Sequence, residues 1–142
     1  MLKILAGFTL LLVLSGCSTS APNSAGACEQ YFDASDRTDR VVDDAFDSLD
    51  TLTTEQRAAL AATYTAAIYT QAGKALLLSL SLTSEGLETS AFGGDVQDLL
   101  ALLSQQVAFL DAGQPNDGTT LLQIVRLETQ IQAECIEIGA NF

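Results

Sequence analysis

Four apolar stripes, each repeating every three to four residues, constrain this chain more than any other feature. An α-helix turns once in about 3.6 residues, so apolar side chains at that spacing share one face and have to be buried together. The spacing predicts a first helix over 28–49, with Cys28, Tyr31, Phe32, Ser35, Val42, Ala45, Phe46 and Leu49 on one face. A second begins at Thr53-Thr54-Glu55-Gln56, where Thr53 caps and Gln56 completes a capping box. It presents Leu60, Tyr64, Ala67, Ile68, Ala75 and Leu78, and Gly73 stands inside it as a kink or a tolerated glycine. After a loop through Ser90 and Gly93-Gly94, a third starts at Asp95 and shows Val96, Leu99, Leu100, Leu103, Val107 and Leu110, with Gly113 and Pro115 to stop it. A fourth starts near Asp117 with Leu121, Ile124, Val125, Ile131, Cys135 and Ile138, and Glu128 at the edge of its stripe. Hairpin signals between alternating runs are missing, so the expected class is all-α. Short connections favour a four-helix bundle of up-down topology.

The N-terminus reads differently. Lys3 precedes an apolar run over 4–14, then Ser15, Gly16 and Cys17. Eleven residues rise only about 16 Å as a helix, against a hydrocarbon core of roughly 30 Å, so a signal-peptide core fits better than a spanning helix. Leu14-Ser15-Gly16-Cys17 resembles the bacterial lipobox. That resemblance, confined to residues 1–17, implies cleavage before Cys17 after its thiol receives diacylglycerol. An ordinary secretory signal cut at Ala25-Gly26-Ala27 would lie about a dozen residues beyond the apolar core, awkwardly far. The expected organisation is a signal peptide over 1–16, a lipidated flexible tether over 17–27, and a helical domain over 28–142. Such a chain sits at the cell membrane or outer membrane on the extracytoplasmic side, held by covalent lipid. Two or three acyl chains together anchor stably where one alone binds reversibly.

With Cys17 lipidated, Cys28 and Cys135 remain, and an extracytoplasmic location permits them to pair. In an up-down bundle the start of the first helix and the end of the fourth lie together, which is where these two cysteines stand. The bundle is therefore expected to carry one disulfide joining those two points.

Charge and composition narrow function. The chain carries 18 acidic and 6 basic residues, a formal −12, and no histidine or tryptophan. Phosphate backbones are bound through Lys and Arg, so nucleic acid is disfavoured as a partner. Without histidine the commonest general base and metal ligand are both missing. Glu134 with Glu137, and Glu85 with Glu88, stand three apart, but adjacent glutamates on one helix rarely make the cleft a carboxylate-dependent hydrolase needs. Tyr31, Tyr64 and Tyr69 are formal haem ligands, although tyrosine in a helical core more often packs its ring and wets its hydroxyl. No catalytic, cofactor-binding or metal site is expected.

Two features invite a binding role. Asp33, Asp36, Asp43, Asp47 and Asp50 form one acidic strip with Glu29 and Arg40, either a solvated face or a dock for a basic envelope protein. None of it has the spacing of a calcium-binding EF-hand loop. Residues 58–82 carry only Lys74 as a charge and end in a leucine cluster over 76–82. The following segment, with Leu87 and Phe92, would cover that cluster. Otherwise it lines a groove for a lipid, a haem-like ligand or another helix. The leading expectation is a non-enzymatic binding or structural module of the cell envelope, with a carrier of an apolar ligand second.

Overall fold

The computed structural model describes residues 22–48, 50–114 and 118–142. These form four helices: α1 (Ser24–Ser48), α2 (Thr54–Ser84), α3 (Ala91–Asp111) and α4 (Gly118–Glu137). Among the described residues there is no strand. Each helix packs on the next, α4 returns to α1, and among the described residues the backbones of neither diagonal pair come close, so the four make a ring around one core. Contacts between helix ends give the direction of each. The Ser24 N–H donates to Glu85 Oε1 at 2.9 Å, Gln97 Nε2 donates to Ser79 Oγ at 2.6 Å, and Cys28 is bonded to Cys135. The starts of α1 and α3 thus lie with the ends of α2 and α4, which is the up-down bundle the periodicity predicts.

The disulfide spans 107 residues of sequence, and both its cysteines are fully buried. Closing a loop of that length stabilises the fold by about 4–5 kcal/mol in the chain-entropy treatment. It lies across the α1–α4 seam, the thinnest of the four helix contacts. Around it the core is dense: Leu78, Leu82, Val96, Leu99 and Ile131 are each sealed from solvent.

Local signals set most boundaries. Thr53 accepts from the Gln56 N–H at 3.2 Å while Gln56 Oε1 accepts from the Thr53 N–H at 2.8 Å, the reciprocal capping box expected for α2. α2 ends on a hydrogen-bonded turn in which Leu87 N–H reaches Leu82 O at 2.8 Å and Gly86 adopts a left-handed φ of 74°. Gly113 ends α3 the same way, at φ 65°.

Two expectations need correction. α1 begins at Ser24 rather than 28, because Asn23 Oδ1 accepts from the Gly26 N–H at 2.9 Å and supplies a cap. The last residues of the expected 17–27 tether therefore belong to the bundle, with Ser24 and Ala27 buried. α3 begins at Ala91 rather than Asp95, because Ser90 Oγ caps the Gly93 N–H at 3.0 Å. Gly93 is in the first turn for a steric reason: a Cβ there would lie 2.4 Å from the Leu87 carbonyl oxygen. Of the two readings of Gly73, the tolerated glycine is the one that fits, since α2 runs as one helix of 31 residues. Cys17 with the signal segment, Leu49, Pro115 and Asp117 lie outside the described residues.

Candidate functional site

Polar residues interrupt the apolar stripes at the middle of the bundle. On α1, Tyr31 and Ser35 stand one turn apart on the buried face; Gln71 comes from α2 and Glu128 from α4. They meet at one atom. Tyr31 donates its hydroxyl to Glu128 Oε1 at 2.6 Å, Ser35 Oγ donates to the same oxygen at 2.7 Å, and Gln71 Nε2 donates to it at 2.8 Å. Gln71 Nε2 also donates to the Tyr31 hydroxyl oxygen at 3.1 Å. Glu128 was expected at the edge of its stripe; it points inward instead, as the acceptor that satisfies three buried donors.

Electrostatics follow from that placement. Burial pushes the Glu128 carboxyl up, and the Asp39 charge adds to this, while the hydrogen bonds from Tyr31, Ser35 and Gln71 pull it down. The balance leaves it raised. Burial, with the Glu128 charge second, holds the Tyr31 phenol well above its ordinary value, so it stays a neutral donor. Among the described residues no ion pair reaches Glu128, and the salt bridge present is Arg37 with Asp33.

Beyond this cluster, away from the disulfide, the side chains leave space between the helices. A cavity of about 400 Å³ opens between α1, α2 and α4, with Val42, Phe46, Tyr64, Ile68, Leu121, Ile124 and Val125 on its walls and Glu128 on its floor. Asp39, exposed to solvent, stands at its rim, and Leu103 is what α3 contributes. A neighbouring hollow of about 320 Å³ between α1 and α2 shares Val42, Phe46 and Tyr64 and adds Leu60, Ala61 and Arg57. Phe46 is 71% exposed and Val125 58%. The apolar stripes of α1 and α4 thus run on past the closed core and face an open cleft.

The leucine cluster of α2 does not build this cleft. It lies at the disulfide end, where Leu78 and Leu82 are core and Phe92 and Leu87 pack over them as expected, leaving Leu76 and Leu80 outward. Asp33, Asp36, Asp43, Asp47 and Asp50 are all exposed, with Asp50 in the turn beyond α1. Asp33 pairs with Arg37, and the charges of Asp36 and Asp43 help raise Asp39, after burial. The strip is not gathered with acidic groups from other helices, and among the described residues no group of three or more His, Cys, Asp or Glu could hold a metal. Tyr69 donates to Asp111, and Glu85 is spent on the α1 terminus. Glu134 is raised by burial and by the charges of Asp95 and Glu137.

The residues missed in the sequence were Glu128 as an inward group and Gln71 as its partner. A signal was present: Ser35, Gln71 and Glu128 each break an otherwise apolar stripe, and polar breaks on facing helices can satisfy one another. No protein-family model, curated protein or solved structure matches this chain.

Proposed function

We propose that this chain is an exported lipoprotein, tethered through Cys17 on the extracytoplasmic side of a membrane, whose bundle is a non-enzymatic binding module. The observation that carries the binding role is the cleft itself: an apolar cavity of about 400 Å³ with a single half-buried carboxylate on its floor. Small-molecule sites typically combine apolar walls with a few convergent polar groups. The tether rests on the lipobox-like Leu14-Ser15-Gly16-Cys17 and the short apolar run before it. Of the earlier alternatives this favours a carrier of an apolar-bodied ligand, placed at the opposite end from the α2 leucines.

The test is mass spectrometry of the native product. The intact mass should start at Cys17 and carry acyl groups, and Cys17→Ala should abolish both acylation and cleavage, leaving the mass of the unprocessed chain. The organic extract should contain a small molecule that disappears when Val42→Trp fills the cleft. An unacylated product, or an extract unchanged by Val42→Trp, contradicts the corresponding half of the proposal.

The exposed acidic strip supports a second reading, docking of a basic envelope protein along α1. Capture of that partner should weaken as salt rises, since exposed charges more than about 10 Å apart are screened near 0.1 M.

A further inference from the structure

We infer that the cleft takes a ligand with an apolar body and a cationic amine head, the head pairing with Glu128 Oε2. This rests on the binding role proposed above and names the chemistry it serves. Four observations converge on it.

The first is the division of labour on the carboxylate. All three hydrogen bonds to Glu128 arrive at Oε1, and among the described residues none is made to Oε2. Oε2 is not among the polar atoms shut away without a partner, and Glu128 borders the cavity. One oxygen is held by the protein and the other is left to the cleft.

The second is the form of the carboxyl. Three neutral donors aimed at one oxygen favour the ionised group. An ionised carboxylate bordering an apolar cavity calls for a positive partner.

The third is that no cation of the protein fills the role. Among the described residues no Lys or Arg forms an ion pair with Glu128. Arg57 lines the neighbouring hollow and stands exposed at its surface. An anionic head would meet Glu128 and Asp39 together, and the chain as a whole carries −12. That field draws cations toward the bundle and repels anions.

The fourth is the aromatic wall. Phe46 and Tyr64 line the same cavity. Ring faces attract ammonium groups, most strongly where water is excluded.

The groups facing Glu128 settle the direction of the pH response. α1 presents Tyr31, Ser35 and Asp39, α2 presents Gln71 and Tyr64, and α3 presents Leu103. Tyr31 stays neutral, so Glu128 and Asp39 are the groups that titrate in the acid range. Amine binding should weaken as pH falls through the raised Glu128 value, and Asp39→Asn should leave most of that response in place.

The experiment uses the full chain in nanodiscs of zwitterionic lipid, with hexylamine, hexan-1-ol and hexanoate titrated while methyl NMR shifts of Ile68 and Ile124 are read. At neutral pH hexylamine should bind about tenfold or more tighter than hexan-1-ol, with hexanoate weakest. Glu128→Gln should bring hexylamine to the level of hexan-1-ol. Equal binding of hexylamine and hexan-1-ol by the unaltered chain overturns the cationic head while leaving an apolar cleft standing. An affinity gap unchanged in Glu128→Gln overturns Glu128 as the partner. Binding of none of the three overturns both this inference and the cleft as a binding site.

Discussion

The two ends of this bundle are built to opposite specifications. At one end the disulfide, Leu78, Leu82, Val96 and Leu99 close a core with no solvent access. At the other, the same helices carry apolar residues on the same faces, yet Phe46 and Val125 stand mostly in solvent around a cavity. Hydrophobic periodicity is alike in both halves; what differs is whether a facing side chain among the described residues covers it. The polar cluster on Glu128 marks the border. A stripe of correct period therefore shows which face looks inward, and says nothing of whether the inside is full.

Breaking the staple should have the largest effect. Cys28→Ala with Cys135→Ala removes the link across the thinnest seam and should cost up to about 4–5 kcal/mol, measured as a shift in the denaturant midpoint. Next comes paired truncation of the two ends. Leu78→Ala should cost about 2–5 kcal/mol because it opens a cavity in sealed packing. Phe46→Ala at the exposed wall should change stability by less than about 0.5 kcal/mol while weakening binding in the cleft. Equal costs would abolish the distinction between the halves.

The border should respond next. Glu128→Leu strips the shared acceptor from Tyr31, Ser35 and Gln71 and should cost about 1–3 kcal/mol. Glu128→Gln keeps an oxygen for those donors and should be far milder. Its pH dependence sharpens the point. Glu128 holds its proton more tightly in the folded chain than in the unfolded one, chiefly through burial. That contribution to stability is complete below the unfolded value, and is lost as pH rises through the folded one. The wild type should therefore lose stability relative to Glu128→Gln between mildly acid and neutral pH, read as the difference in Tm between the two. Thr53→Ala, which removes an exposed helix cap, should cost about 1 kcal/mol, less than the core and disulfide changes.

How much was legible in the sequence divides along similar lines. The capping box of Thr53 and Gln56 is a local device, visible in four consecutive residues. The Cys28–Cys135 pair was legible because topology alone brings the two helix ends together. The start of α3 was misplaced because Gly93-Gly94 reads as a turn; the Ser90 cap and the close approach of the Leu87 carbonyl put both glycines inside the helix. Glu128 was misjudged for a deeper reason. Its inward position depends on donors from α1 and α2 that lie 57 to 97 residues away, and no window on α4 contains them. The cleft was invisible likewise, since the stripe containing Val42 and Phe46 looks as buried as the one containing Cys28 and Tyr31.

Native-state hydrogen exchange on the ligand-free chain tests the contrast between the ends most directly. Amides of Tyr31, Leu78 and Ile131 should exchange only through global unfolding. Those of Val42, Tyr64 and Leu121 should exchange through local opening, about 2 kcal/mol or more easier, and gain protection when the cleft is occupied. Uniform protection along all four helices would contradict an open half set apart for binding.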